Sequence, residues 1–372
     1  MVPLYLEHLG ITPFMIGVIL ASHAFVAAVG ALLAPRFILS MPFRTVLGVG
    51  IMLLTVGCLI FSVFTFVPLL VLGQMIGGLS SILIVIATQS FVGQVSPRPQ
   101  LARNFSLLVS TFGVAGIIGP TLAGTLERVL SYQWAFLIMA IVSLVAFGAS
   151  RLVGEEKVQG AGEAADLNWR SMKMLLEARG FQVGLIVTVA AISILSLSMS
   201  FYPLYLASIG LSTQIIGALL SIRSLGELIA PVTIQWIEAR MGRLRLLLMA
   251  LGMGVVLLVL IPSLVNLSGL ALTALLLGVT FGYIVPISLA LVSENAGAEQ
   301  RPLAMAVRFA VNRGTDSVGP LLFGTAVQLW SYAAAFYACA TYLLWTAYYA
   351  VKNRVLVEHH LDDEGEPRAS SS

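Results

Sequence analysis

The chain has 372 residues, of which 59% are hydrophobic and 10% charged, and its formal net charge is +3. About a quarter of the residues of a soluble domain are charged, so this chain has too few charged residues to cover a surface exposed to water. Its composition therefore predicts that it is surrounded by a lipid membrane. The small positive charge does not indicate a nucleic-acid partner, and no nucleic-acid binding is expected.

The predicted elements, taken in chain order, are helices. Eleven apolar runs approach the length of about 20 residues that a helix needs to cross a bilayer, and none has the alternating pattern of a membrane β-barrel. The sequence therefore predicts an all-α membrane protein with spans near residues 14–35, 45–64, 68–92, 104–126, 133–150, 180–206, 214–236, 246–263, 269–293, 304–327 and 332–351.

These spans divide the chain into four regions. Five spans form an N-terminal transmembrane bundle at 1–150 and six form a second bundle at 180–351, with a polar linker at 151–179 between them and a polar tail at 352–372. Sixteen Lys and Arg residues lie in the linker, the tail and one set of alternate loops, whereas the opposite loops hold only Arg128. The positive-inside rule therefore predicts that the linker and the C-terminus are cytoplasmic.

The polar segments and the cysteines offer no metal or cofactor site. Within the linker, Leu167–Arg179 is amphipathic and is predicted to form a helix on the cytoplasmic membrane surface. His359 and His360 in the tail are predicted to be solvated. Cys58 and Cys339 lie in separate apolar runs, which predicts buried free thiols. No cofactor and no metal are expected.

Three short motifs recur at an offset of 200 residues. "PLYLEHLGITPFMIG" at Pro3 returns as "PLYLASIGLSTQIIG" at Pro203, with seven of the fifteen positions identical. "GPTLAG" at Gly119 returns as "GPLLFG", and "SYQWAF" at Ser131 returns as "SYAAAF". One offset across half of the chain predicts two homologous bundles in parallel orientation, as in transporters built from parallel repeats.

These motifs resemble those of the major facilitator superfamily over nearly the whole chain. "PLYLEHLGITPFMIG" is similar to that superfamily's junction between its first and second helices. "GVAGIIGPTLAG" (Gly113–Gly124) resembles the Gly-Pro motif of its fifth helix, and "EARMGRLRLL" (Glu238–Leu247) resembles the charged loop after its eighth. The resemblance implies two pseudo-symmetric six-helix bundles around one central cavity, which rock to open that cavity to each side in turn.

This chain offers about 11 transmembrane helices, five plus six, where the superfamily has twelve. The counterpart of the run at 180–206 would lie mostly before residue 1, so the first helix is expected to be missing. Two explanations are open: an authentic eleven-helix protein, or a misplaced start site or truncation. The small-residue faces that would lack a partner favour the second explanation.

Two positions depart from the superfamily's pattern. The segment Gly30–Leu47 keeps Arg36 and Arg44 but has Ala34 followed by Pro35 in place of the usual Asp. Gln74 stands where many proton-driven exporters of the superfamily carry an arginine. Both departures weaken the expectation of a standard drug–proton antiport mechanism.

Ionisable residues within the predicted spans are the strongest candidates for a site. Apart from His, there are five, all in the second half: Arg223, Glu227, Arg308, Arg313 and Asp316. Each costs about 2.5–3.5 kcal/mol at the centre of a span, so these side chains are expected to face a cavity or one another. Three arginines against two acids favour an anionic or zwitterionic solute over a cation.

The spacing of these residues predicts two groups. Arg223 and Glu227 are four residues apart on one helix face, and contact with substrate or ion is expected of them. Arg308, Asn312 and Asp316 form one stripe, with Arg313 in reach of Asp316. Salt bridges that gate the halves, and contact with the transported solute, both remain open for this stripe.

Weaker candidates for site residues lie in other predicted spans. By the offset of 200, His23 is equivalent to Arg223, and the resemblance places it near the Arg308–Asp316 stripe. A packed, neutral His23 is expected, with a proton carrier as the alternative. Gln74 begins a polar stripe that could face the cavity, whereas Tyr202 and Tyr205 are expected in the interfacial aromatic belt.

The function predicted is secondary active transport of small organic solutes by alternating access, coupled to protons. No GxxxxGK[ST] motif is present, so ATP drive is not expected, and no nucleophile–base constellation indicates an enzyme. Drug or metabolite efflux, organic-anion uptake and a truncated, non-transporting membrane scaffold remain alternatives. The expected partners are a small-molecule substrate, protons and the lipid bilayer, and the protein is expected to be a monomer in a bacterial cytoplasmic (inner) membrane.

Overall fold

The computed structural model describes residues 1–38, 41–97, 100–152, 169–296 and 300–358. The helices of the first half are α1 (Val2–His8), α2 (Pro13–Ile38), α3 (Phe43–Val63), α4 (Val67–Val95), α5 (Leu101–Val129) and α6 (Tyr132–Ser150). A short helix, α7 (Trp169–Glu177), precedes the second half. The second half consists of α8 (Arg179–Ser208), α9 (Thr213–Met241), α10 (Arg243–Leu260), α11 (Leu267–Glu294), α12 (Arg301–Leu329), α13 (Tyr332–Lys352) and α14 (Arg354–Glu358).

Each of the eleven predicted spans coincides with a long helix, α2–α6 or α8–α13. In the described ranges, nine of these helices are long and apolar enough to cross a membrane by length and composition. The other two are more polar, because α12 carries four charged residues and α13 five tyrosines. The all-α membrane fold with five plus six long helices is therefore confirmed. The predicted solvation of His359 and His360 concerns residues outside those described.

The repeated motifs correspond to repeated local structure. Gly10 and Gly210 follow α1 and α8 with φ of 72° and 86°, a left-handed conformation that favours glycine. Their N–H groups donate to the carbonyls of Glu7 and Ala207, at 2.8 and 2.9 Å. Ser131 and Ser331 are the N-caps of α6 and α13, each accepting from a backbone N–H three residues later. The repeat thus encodes the same turns and caps in both halves.

Two helix pairs form the seams between the halves, α2 against α12 and α5 against α9. A Cβ added at Gly17 would collide with the Pro320 carbonyl, and one added at Gly217 would collide with the Pro120 carbonyl. The second contact is the first with each residue shifted by 200, so the two seams are related by the pseudo-two-fold axis. Glycine permits this approach because backbones can touch where no side chain intervenes.

The two ends of the bundle differ in how the apolar cores are divided between the halves. At the end holding the α1–α2 and α8–α9 turns, here called the closed end, a single apolar core contains residues of both halves, such as Tyr5, Phe136 and Phe201. Toward the opposite, open end, each half has a small core of its own, built around Phe43 in the first half and Phe181 in the second. Among the described residues, the core common to both halves thus includes the closed end, whereas the two small cores toward the open end each belong to one half.

The first half has an uncovered face where the second half is covered by α8. Gly319 of α12 lies against the Ser196 side chain of α8, whereas an added Cβ at the equivalent Gly119 would meet nothing within 4 Å. Large apolar side chains of α5 and α6 on the first half, including Phe112 and Trp134, are exposed. By the offset, α1 matches the last residues of α8.

The amphipathic part of the linker is helical, as α7. Leu175 is buried at 3% exposure in the core that also contains Phe181 and Leu303. Met174 and Leu176 are exposed. One side of α7 therefore packs on the open end of the second half, rather than the whole apolar face lying on a membrane surface. Cys58 and Cys339 are buried free thiols, as predicted.

Candidate functional site

The ion pair Arg223–Glu227 lies on α9 at the middle of the bundle. The Arg223 Nη1 atom is 2.5 Å from Glu227 Oε1, and the side chains are 2% and 26% exposed. Close packing buries this arginine, because added Cβ atoms at Gly278 and Gly282 of α11 would meet the backbone of Arg223 and the Ala230 side chain. Glu227 is the partner that solvent or a ligand can reach.

Arg223 retains donor capacity that the protein does not use. Its Nε atom is buried without a hydrogen-bond partner. Tyr202 on α8 is 1% exposed and interacts electrostatically with Arg223, with Thr273 of α11 beside it. The expectation that Tyr202 and Tyr205 belong to the interfacial belt is wrong, because both are buried and Tyr205 donates to the Ile261 carbonyl at 3.1 Å.

The second polar group gathers His23, Gln74, Arg313 and Asp316 at the α2–α12 seam. His23 interacts electrostatically with Asp316 and Arg313 of the other half, and the backbone of Gln74 faces its ring within hydrogen-bonding range. Arg313 Nη1 is 3.9 Å from Asp316 Oδ2, with both side chains a quarter to a third exposed. The structure therefore brings His23 to the α12 stripe, as the resemblance implied.

The polar residues of the α12 stripe contact different parts of the bundle. Arg308 Nη2 donates to the Ser288 hydroxyl of α11 at 3.0 Å, within the second half and toward the open end. Asn312 is half-buried between the two charged groups. Arg308 thus ties α12 to α11, while Arg313 and Asp316 face the other half.

A cavity of about 440 Å³ opens beside His23 in the first half. Gln74, which is 9% exposed, lines it together with Ser81, Phe112 and Phe136. The hydroxyls of Ser81 and Thr88 donate to carbonyls of their own helix, at 2.8 and 2.7 Å. Ser81 and Thr88 therefore use their hydroxyls within α4, whereas the Gln74 side chain presents its polar group to the cavity.

Sequence reasoning missed a set of polar contacts that join the halves at the closed end. Thr213 of α9 donates to the Glu127 carboxylate of α5, and Arg128 donates to Gln214. The hydroxyls of Thr121 and Ser221 are 2.8 Å apart across the same seam. These contacts join the halves from the closed end of the α5–α9 seam inward to Ser221.

The opposite seam has its own closed-end contact. Tyr332 of α13 donates to Glu7 of α1 at 3.1 Å. Glu7 precedes the first candidate span, and burial raises the pKa of its carboxyl while the bond from Tyr332 opposes that rise. Because a buried carboxyl with a raised pKa binds a proton more readily, lower pH favours the state in which Glu7 lies buried against Tyr332. At both seams a glutamate of the first half accepts from a hydroxyl of the second half, a pairing that no sequence pattern shows.

No group of three or more His, Cys, Asp or Glu side chains suited to a metal occurs among the residues that the structure describes. The site consists instead of two polar groups at two seams, each within reach of the middle of the bundle. Ionisable groups buried among membrane-spanning helices mark candidate sites for protons or ionic solutes.

Comparison with known proteins agrees with this architecture. A family model described as Major Facilitator Superfamily matches residues 1–212 and 184–367. The chain is 25% identical over 364 residues to the multidrug resistance protein MdtG of Escherichia fergusonii, covering 94% of this chain and 88% of MdtG. It is 26% identical over 149 residues to the quinolone resistance protein NorA of Staphylococcus aureus, a match that spans 39% of this chain and 37% of NorA.

Solved transporter structures share the fold. A mutant of the nucleoside transporter NupG superposes with a TM-score of 0.78 at 13% identity, covering 94% of this chain and 93% of that one. A mutant of the peptide transporter POT superposes with a TM-score of 0.75 at 14% identity, covering 94% and 88%. At these identities the likeness concerns the arrangement of helices.

Proposed function

The chain belongs to the Major Facilitator Superfamily, and on that premise we propose that it exports small organic compounds by alternating access, coupled to protons. The names of its relatives, a multidrug resistance protein and a quinolone resistance protein, favour export over uptake. The open end carries the linker and most of the loop arginines, so we assign it to the cytoplasm. The protein would work as a monomer in a bacterial cytoplasmic membrane.

One observation carries the proposal of proton coupling: Glu227 is partly exposed, yet its only ionic partner among the described residues is the fully buried Arg223. A proton on Glu227 would dissolve the ion pair and leave the guanidinium charge unbalanced between α9 and its neighbours. Because α9 packs on both α5 and α11, that change would bias how the halves are joined. We assign Glu227 as the coupling carboxylate.

The remaining candidates are assigned supporting roles. His23, Gln74, Arg313 and Asp316 form the polar group of the α2–α12 seam, where Asp316 is a second group able to hold a proton. Two more residues, Arg308 and Asn312, lie toward the open end, where they would steer or gate the solute. These roles depend on the seams opening and closing in turn.

The experiment uses the full chain in proteoliposomes that contain a pH-sensitive dye. We expect movement of a transported compound to be accompanied by proton flux. In Glu227→Gln, which keeps the shape but cannot ionise, uphill transport should fall about tenfold or more, whereas exchange of compound for compound persists. The readout is the ratio of uphill transport to exchange.

Glu177→Gln is the matched control, because Glu177 lies on α7 with its side chain 67% exposed and its charge is solvated. It should leave both activities unchanged. Transport without proton flux in the unmodified protein would contradict proton coupling. Undiminished uphill transport by Glu227→Gln would remove Glu227 from the mechanism.

A further inference from the structure

The Arg223 guanidinium has a buried N–H donor that no described residue accepts. The guanidinium offers five N–H donors in a planar fork, and Glu227 Oε1 lies 2.5 Å from its Nη1 atom. The Nε atom is buried without a partner, and the Tyr202 hydroxyl is buried beside the guanidinium, with Thr273 next to it. An unsatisfied guanidinium N–H with a buried hydroxyl beside it favours an anionic acceptor, because burying an unpaired polar group costs free energy.

We propose that Arg223 and Tyr202 form the binding site for the carboxylate of an organic anion or zwitterion. This rests on the proposed transport function and names a substrate class for it. The ligand carboxylate would take the place of the Glu227 carboxylate on the guanidinium. The planar fork accepts two carboxylate oxygens side by side, and the tyrosine hydroxyl would supply a third donor.

The charge balance of this exchange links the ligand to a proton. With Arg223 and Glu227 both ionised, the pair is neutral, and an added carboxylate would leave one uncompensated negative charge in an apolar surrounding. If Glu227 takes a proton from water as the ligand binds, the site stays neutral. One proton is therefore taken up for each carboxylate bound.

The surroundings leave Glu227 as the group that takes this proton. Arg223 faces it from its own helix, and Tyr202 lies against Arg223 from α8. On α11, Tyr283 is bonded to the Thr233 hydroxyl at 2.7 Å, more than one turn further along α9. The facing part of α5 is the glycine-rich stretch Gly113–Gly124, which carries no titratable side chain. Glu227 is also the accessible member of its ion pair.

The test measures binding of two matched fluorescent probes, 2-naphthoate and the neutral 2-naphthamide, to the purified full chain. We expect the acid to bind about tenfold or more tightly than the amide, and its affinity to rise as the pH falls from about 8 to about 6.5, where naphthoate stays ionised. In Glu227→Gln the acid should bind more tightly than to the unmodified protein, without pH dependence. A merely structural ion pair predicts the opposite, weaker binding in this variant.

Two conservative variants check the donors. Arg223→Lys keeps the charge but lacks the fork, and Tyr202→Phe removes only the hydroxyl. Arg223→Lys should abolish most of the preference for acid over amide, and Tyr202→Phe should reduce it several-fold. Thermal unfolding of each variant in detergent shows whether it is folded.

Equal binding of acid and amide by the unmodified protein, or no binding of naphthoate, would overturn the proposal. So would an unchanged preference in folded Arg223→Lys. Failure of the inference and failure of the transport function remain distinct. Proton-linked export of neutral or cationic compounds with no preference for the acid contradicts only the carboxylate site. Selective binding of the acid without any transport contradicts only the proposed function.

Discussion

At the scale of single residues, Gly217 sets the distance between α5 and α9. Its missing side chain lets the backbone of α9 touch the carbonyl of Pro120, and Gly17 does the same for α2 against Pro320. Backbone atoms cannot rotate away as a side chain can. Any residue larger than glycine here must separate the two helices.

We therefore expect Gly217→Ala to weaken the closed end. Overpacking of this kind costs about 1–3 kcal/mol, so the thermal unfolding midpoint of the purified protein should fall measurably. Gly252→Ala is the control, because it makes the same change within a helix where an added Cβ meets nothing within 4 Å. It should be neutral or slightly stabilising, since alanine favours a helix over glycine. Equal midpoints for the two variants would contradict the close seam.

Residue patterns predicted one half of the Arg223 site and missed the other. The spacing of four residues predicted the pairing of Arg223 with Glu227, because it is a property of one helix. The burial of Tyr202 beside them depends on how α8 lies against α9 and α11, which no local pattern contains. A tyrosine near the end of a span is therefore ambiguous between lipid interface and core.

At the scale of elements, Arg243 joins three helices at the open end of the second half. Its Nε atom is 2.8 Å from Glu238 at the end of α9, and its Nη1 donates to Glu294 at the end of α11. Arg243 itself begins α10 and is 20% exposed. The motif "EARMGRLRLL" thus holds α9, α10 and α11 together through one side chain.

Replacement of Arg243 by Ala should lower the stability of the second half. Two partly buried ion pairs are lost and two carboxylates remain close to each other, for which we expect a cost of about 1–3 kcal/mol. Arg245→Ala, two residues further along and exposed, removes the same charge as a control. The measurement is thermal unfolding in detergent at low and high salt. If the two variants unfold at the same temperature, the three-helix tie is not stabilising.

Most elements could be predicted, because a membrane-spanning helix is defined by its own apolar length. The eleven runs in the sequence became α2–α6 and α8–α13. The short helix α7 was also recognisable, from its amphipathic spacing. Its docking was not, because Leu175 packs against residues more than 100 positions away, such as Leu303.

At the scale of the whole molecule, the sequence repeat predicts both seams but not which end of the bundle is shut. The same pairs α2–α12 and α5–α9 must serve a form closed at either end. The choice depends on a small difference between two large sets of contacts. Here the closed end has a core common to both halves and the hydrogen bonds between them.

If this is one state of a transport cycle, a covalent bond across the closed end must stop the cycle. Thr121 and Ser221 are suited to this, because their hydroxyls are 2.8 Å apart across the α5–α9 seam. Thr121→Cys combined with Ser221→Cys, in a chain whose own Cys58 and Cys339 are replaced by Ala, places two thiols at that position. Oxidation should form a disulfide readily, and transport in proteoliposomes should be arrested.

Reduction of that disulfide should restore transport, since the closed end can then open again. The single variants Thr121→Cys and Ser221→Cys, oxidised in the same way, should retain activity, which separates the bond from the substitutions. Binding of a compound from the open end should survive the bond, because the halves remain free to move there. Transport that continues in fully cross-linked protein would mean that this seam stays closed throughout, and that the halves do not rock about it.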